Sequence, residues 1–246
     1  MLSGLDLNHL FTFPLKDSQA RNRFFIGALL IFASAIIPLL PYLPVLGYTM
    51  KIMRGVVAGQ KPSMPEWDDW ETLFKDGLKL FGVRFIYFLP LLLVMLPVFL
   101  LFIAVPIIAT ATESEGILVL SFLILPLSMI CLLPLFIAAG FIIPAAEVHV
   151  AARGEFRAGF QIRDWWPIFR ANIGGFLLAY LLIYAISIVI SLALQLVIFT
   201  IILTCLLPLI APLISMYILV IQYSLIAQAY REGDLKQPAP AAIEQD

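Results

Sequence analysis

Residues 171–230 read ANIGGFLLAYLLIYAISIVISLALQLVIFTIILTCLLPLIAPLISMYILVIQYSLIAQAY, without a single Asp, Glu, Lys or Arg. Roughly 20 apolar residues suffice to cross the hydrocarbon core of a bilayer as an α-helix. The stretch is therefore long enough for two spans. Pro208 and Pro212 lie where a turn between two such helices would fall, so we expect a break near residues 204–208. The chain is predicted to be an integral membrane protein.

Three other charge-free stretches precede this one, at residues 24–50, 85–112 and 116–146. With two spans in the last stretch, the chain has five hydrophobic segments. Lipid tolerates only helices and closed barrels, and these segments lack the alternating pattern of barrel strands. The predicted fold class is therefore all-α, a polytopic helical membrane protein.

The first segment, residues 24–50, allows two interpretations. Pro38, Pro41 and Pro44 interrupt it, and the apolar run before them is too short for a full span. It is either a Pro-rich re-entrant hairpin, giving four spans plus a hairpin, or a single Pro-kinked span, giving five spans. A cleaved signal peptide is disfavoured, because the leader before the apolar run is too long.

The distribution of Lys and Arg predicts the orientation. Basic residues crowd the connections at 51–84 and 147–170, whereas the turn at 113–115 has none. Because cytoplasmic loops carry the excess of Lys and Arg, these two connections and the C-terminus are expected in the cytoplasm, with the protein multi-pass in the plasma (inner) membrane. A hairpin at 24–50 would also keep the basic residues before it on the cytoplasmic side.

Composition excludes several classes of protein. The chain is 62% hydrophobic and 13% charged, with a formal net charge of -1, so lipid must cover much of its surface and a nucleic-acid-binding face is not expected. Cys131 and Cys205 lie in apolar stretches without ligand-like spacing, so neither a disulfide nor a metal site is expected. No cofactor is indicated.

The chain matches itself weakly at an offset of 95 residues. The matched pairs include Gly59 with Gly154, Asp69 with Asp164, Trp70 with Trp165 and Phe81 with Phe176. This predicts a parallel repeat of about 45–112 and 140–205 within a single helical domain of residues 1–236. The alternative is that two membrane edges were filled independently with the same interfacial residue types. The tail at 237–246 is expected to be disordered.

Two Asp-Trp segments are the candidate interaction sites. Trp side chains favour the headgroup level, and apolar residues after Trp70 recur at helical spacing, so amphipathic interfacial helices are predicted on the cytoplasmic side. Asp68 or Asp69 would cap the first helix. These helices would anchor the protein and dock a partner; a competing hypothesis is that the carboxylates of residues 66–71 bind a cation or basic partner. The candidate residues are Trp67, Asp68, Asp69, Trp70, Asp164 and Trp165.

A second candidate is the pair Glu147 and His149, at the end of the third segment. Ionisable residues at that depth can relay protons or bind a metal, although they more often mark the end of a span. With His9 as the other histidine, a His-based metal site is not expected. No catalytic residue is identified.

One stretch carries a family resemblance. The residues are Gly47, Tyr48, Arg54, Gly59, Pro65, Trp67, Asp68, Leu73, Phe74, Asp76, Gly77 and Leu78, with an echo at Gly154, Glu155 and Phe156. Here the sequence resembles domain of unknown function 4013, a family of prokaryotic polytopic membrane proteins. The resemblance implies a prokaryotic membrane protein without an established activity, substrate or cofactor.

Without charges inside the spans, the leading functional hypothesis is a non-enzymatic scaffold or accessory subunit that binds the lipid bilayer and either a membrane protein partner or further copies of itself. The alternative is a small transporter or permease-like protein for an apolar or lipid-like solute, suggested by the repeat and the Pro-interrupted segments. An intramembrane enzyme comes third.

Overall fold

The computed structural model describes residues 6–198 and 205–237, which contain helices and no β-strand. Two short 3-10 helices, Phe13–Leu15 and Phe156–Phe160, accompany eight α-helices in these ranges. The α-helices are α1 Leu7–Thr12, α2 Ser18–Ala33, α3 Tyr42–Val57, α4 Trp70–Ala111, α5 Glu115–Arg153, α6 Ile162–Ala171, α7 Ile173–Ile198 and α8 Leu207–Leu235. The predicted all-α class is confirmed.

Four helices of the described residues, α4, α5, α7 and α8, are long and apolar enough to cross a membrane. With 42 and 39 residues, α4 and α5 exceed the roughly 20 that a span needs, so each extends beyond the hydrocarbon core at a charged end. The break predicted at 204–208 agrees with the start of α8 at Leu207, while Thr204 lies outside the described residues. The tail predicted to be disordered also lies outside them, apart from Gln237.

The chain forms two compact units. Unit 1 comprises Met1–Gly82 and Pro144–Asp246, and unit 2 comprises Val83–Ile143. Unit 2 consists of the apolar parts of α4 and α5, where side chains such as Phe122 and Ile130 are exposed. Apolar surface of this kind needs lipid or another apolar surface to cover it.

Helix α8 is the centre of unit 1. It packs against α2, α3, α6 and α7. Its side chains Met216, Val220 and Leu225 are fully buried, as are Leu46 and Met50 of α3. A helix that is apolar on all sides is stable when other helices surround it, which explains why α8 lacks a polar stripe over most of its length.

The first hydrophobic segment is a pair of helices and not one continuous helix. Helices α2 and α3 have 16 residues each, and the turns at 34–41 that separate them contain Pro38 and Pro41. Near the start of α2, Arg23 Nη1 donates to the Met64 carbonyl oxygen at 2.7 Å, beyond the end of α3. The two ends of the segment therefore lie together, as the hairpin interpretation requires and a single span does not.

The two halves of the predicted repeat agree at one point and differ at another. Helices α3 and α5 are each followed by a glycine of positive φ, Gly59 at 93° and Gly154 at 77°, a backbone shape that commonly ends helices. Beyond these glycines, α4 runs unbroken from its charged start into its apolar part, so the expected interfacial helix after Trp70 is the beginning of α4. In the other half, α6 is a separate helix that ends before α7.

Candidate functional site

Trp67 lies between two other aromatic rings. Its ring stacks on Tyr48 of α3 with centroids 3.9 Å apart and on Trp70 with centroids 5.7 Å apart. Its Nε1 donates to the Arg23 carbonyl oxygen at 2.8 Å, and the Tyr48 hydroxyl donates to the Pro65 carbonyl oxygen at 2.7 Å. Tyr48 is fully buried, whereas Trp70 is 47% exposed. The stack thus runs from the core of unit 1 to its surface; we call residues 66–71 the tryptophan edge.

Exposed carboxylates flank Trp67 and Trp70 along the chain, and most of them are bound by cations of the same chain. The ion pairs are Arg23–Glu66, Lys51–Asp68 and Lys75–Glu71. Asp69 instead accepts the backbone N–H of Thr72 at 3.0 Å and caps α4, as predicted for one of the two aspartates. These bonds fix the course of the edge, and no three of its four carboxylates, all in the described part of the chain, are arranged to hold a metal ion.

Both aspartates of the edge are held in the charged form. The hydrogen bond from Lys51 is the main reason why the pKa of Asp68 is below its usual value. Hydrogen bonds from Thr72, through its side chain and then its backbone N–H, lower the pKa of Asp69. Both groups are therefore ionised at neutral pH, and the edge presents negative charge beside the Trp70 ring.

A buried carboxylate, Asp76, joins three helices behind the edge. It pairs with Arg54 of α3 and accepts from Lys79 at 2.9 Å. Arg54 Nε also donates to the Ala151 carbonyl oxygen at 3.3 Å, and Lys79 Nζ to that of Gly154 at 2.9 Å. Two cations thus satisfy carbonyl groups at the C-terminus of α5, where positive charge is favoured by the helix dipole. We call this the Asp76 junction.

Two glycines bring the backbones of α3 and α4 into contact. A Cβ added at Gly47 would overlap the Leu73 carbonyl oxygen, and one added at Gly77 would overlap that of Leu43. Neither position leaves room for any side chain. The close approach explains why a small residue is needed on each helix, and it sets the position of α4 and of the tryptophan edge at its start.

The second Asp-Trp segment lies on α6 and differs from the first. Asp164 is exposed, but Trp165 is only 2% exposed, together with buried Ile168 and Phe169 on the same helix face. The exposed ring of α6 is that of Trp166, at 40%. Trp70 and Trp165, which the 95-residue offset matches, therefore differ in burial.

Glu147 and His149 are both fully buried in unit 1. The Tyr223 hydroxyl donates to Glu147 Oε2 at 2.6 Å, and His149 Nδ1 lies 2.6 Å from the Tyr230 hydroxyl. Each pair joins α5 to α8. Among the described residues, no group of three or more His, Cys, Asp or Glu side chains is arranged to hold a metal ion.

Sequence reasoning missed several of these residues, although signals were available for some. Asp76 and Lys79 stand three residues apart on a helix, a spacing at which opposite charges meet. Trp165, Ile168 and Phe169 follow the period of a buried helix face, which would have identified Trp166 as the exposed ring. Nothing in the sequence indicated that Arg54 would reach the end of α5.

These helices and junctions define a polytopic, all-α membrane protein in which a buried carboxylate, Asp76, and its partly exposed cations connect three helices. The chain belongs to the family described as protein of unknown function (DUF4013), whose sequence model matches residues 30–199. The resemblance noted in the sequence is thereby confirmed. No curated protein and no solved structure matches the chain.

Proposed function

We propose that this protein is a non-enzymatic scaffold or accessory subunit, and that the tryptophan edge docks a membrane protein partner. The observation that carries the proposal is the exposed Trp70 ring at the end of a stack that begins in the core at Tyr48. Trp residues dominate the energetics of many interfaces because each buries a large area with few rotatable bonds. A ring already held in place loses little freedom on binding.

The surroundings of Trp70 support this role. Exposed carboxylates, three of them fixed by their own ion pairs, flank Trp70 along the chain. An aromatic centre with a polar rim is the usual composition of a protein interface. The bound carboxylates are also a reason to prefer a docking surface to a cation site, since binding a cation would require them to release Arg23, Lys51 and Lys75.

The edge is proposed to face the cytoplasm. The Lys79–Gly154 hydrogen bond and the one between His149 and Tyr230 bring the basic connections and the last turns of α8 to one end of unit 1. Because Lys and Arg concentrate on the cytoplasmic side, this end is assigned to it. The hairpin of α2 and α3 would enter the plasma membrane from there, with exposed Ile36 and Ile37 at its tip.

A second candidate function, transport of an apolar or lipid-like solute coupled to protons, is favoured by the buried pairs of Glu147 and His149. Ionisable groups buried inside membrane proteins often mark ion pathways. The purified chain in liposomes with an imposed pH gradient tests this. Proton flux that Glu147→Gln abolishes would favour transport, whereas no flux above empty liposomes would count against it.

The docking proposal is tested by purifying the tagged chain from its own membranes in mild detergent and quantifying co-purified proteins by mass spectrometry. We expect one partner in stoichiometric amount with the wild type. Trp70→Ala should lose most of it, and Trp166→Ala, which removes an exposed ring elsewhere, should retain it. Recovery of the wild type alone or only with copies of itself would overturn the proposal.

A further inference from the structure

A polar cavity of about 300 Å³ lies in unit 1 between α1, the end of α3 and the end of α8. It is separate from the tryptophan edge. Its polar lining comprises Asp6, His9, Gln60, Lys61, Gln228 and Arg231. The volume is at the lower end of that of small-molecule sites, enough for a small anionic group such as a phosphate.

Some of the ionisable side chains that line this cavity have bonding partners within the described part of the protein, and others do not. Asp6 accepts the backbone N–H of His9 at 3.1 Å as the cap of α1, and His9 Nε2 lies 2.9 Å from the Pro62 carbonyl oxygen. Lys61 and Arg231, by contrast, form no ion pair with any described residue. The lining thus carries two cations against one carboxylate, Asp6, which already accepts a backbone N–H, and a bound anion would balance the remaining positive charge.

The backbone at Gly59 makes room for one of these cations. Gly59 has a φ of 93°, and a Cβ added there would lie 2.9 Å from Arg231 Nη2. The absent side chain thus lets the guanidinium approach the end of α3. Arg231 is also the first charged residue after the charge-free stretch 171–230, which places it at the depth of lipid headgroups.

We propose that this cavity binds a phosphate group, supplied either by the headgroup of an anionic phospholipid or by a soluble phosphate ester. Arg and Lys are the side chains that bind phosphate most strongly, and the amides of Gln60 and Gln228 can donate further hydrogen bonds. Each cation near a membrane surface strengthens binding of an anionic lipid about fivefold.

The test uses the full chain, purified and stripped of lipid in neutral detergent. Native mass spectrometry measures binding of phosphatidylglycerol, with phosphatidylcholine as the zwitterionic reference and glycerol 3-phosphate as soluble competitor. The double variant Lys61→Gln, Arg231→Gln should weaken phosphatidylglycerol binding about 25-fold. Arg163→Gln, an exposed cation of α6 outside the cavity, should leave it unchanged.

Each outcome is informative. If the wild type prefers phosphatidylglycerol and the double variant loses that preference, the phosphate belongs to a lipid headgroup. If the double variant loses glycerol 3-phosphate binding to the same extent as phosphatidylglycerol binding, a soluble ester is supported. If the double variant is not recovered folded, Gln60→Glu adds a carboxylate to the cavity and should weaken binding in the same assay. No preference of the wild type for either phosphate ligand, or equal binding by all variants, would overturn the proposal.

Discussion

Arg54 and Asp76 form an ion pair that joins α3 to α4, and the same guanidinium donates through Nε to the Ala151 carbonyl oxygen of α5. One buried carboxylate therefore controls the relative positions of three helix ends. The tryptophan edge ends at Glu71, five residues before Asp76, so its position depends on this junction.

Removing the carboxylate should destabilise the fold. We expect Asp76→Ala to lower the free energy of unfolding by about 2 kcal/mol, less than for a fully buried pair because Arg54 and Lys79 stay 36% and 33% exposed. Titration with SDS in mixed micelles measures this. Glu71→Ala, which breaks only an exposed pair with Lys75, serves as the control and should change little. Equal effects of the two changes would contradict a structural role for the junction.

The contact between α3 and α4 is tested by adding single methyl groups. Gly47→Ala and Gly77→Ala should each cost about 3 kcal/mol or prevent folding, since the new Cβ would overlap a backbone carbonyl oxygen. Gly174→Ala is the matched control, because a Cβ there meets nothing within 4 Å. Folding yield and the thermal midpoint in detergent report the difference, and a normal yield for Gly77→Ala would refute the close approach.

Replacement of two neighbouring tryptophans, Trp165 and Trp166, should change the free energy of unfolding by different amounts. Trp165→Ala removes a ring that is 2% exposed and should cost about 3–5 kcal/mol of unfolding free energy, whereas Trp166→Ala should leave the stability in detergent nearly unchanged. SDS titration compares the two variants directly. A larger loss for Trp166→Ala would mean that α6 presents its other face to the core.

Much of this architecture was predictable from apolar run length and charge. The spans, the hairpin alternative and the cap at Asp69 follow from local rules that act over a few residues. The burial of Trp165 and the reach of Arg54 to α5 do not, because both depend on which helices pack together. The same is true of Tyr223 and Tyr230, whose partners on α5 are far away in sequence.

The orientation is tested by labelling intact cells with an impermeant thiol reagent, in a background in which Cys131 and Cys205 are replaced by Ser. A cysteine at Lys61 or Arg157 should be protected, because basic connections stay in the cytoplasm. A cysteine at Ser114 should label. Labelling at Lys61 and Arg157 but not at Ser114 would reverse the orientation of the protein in the membrane.

The same assay examines the hairpin. A cysteine at Ser3 should be protected, since the start of α2 lies beside the connection after α3. Permeabilised cells, in which every site should react, provide the control. Labelling of Ser3 in intact cells would place the two ends of residues 24–50 on opposite sides of the membrane.

The central claim is that the Trp70 ring contacts another protein and not only lipid. Site-specific photo-cross-linking tests it most directly, with the aromatic cross-linker benzoylphenylalanine placed at position 70 and, as a control, at position 166. Glu71→Gln, which breaks only the exposed pair with Lys75, should leave cross-linking from position 70 unchanged. We predict a covalent adduct with a different protein from position 70 and none from position 166. Adducts with lipid alone at position 70, or the same protein adduct at both positions, would contradict the docking account.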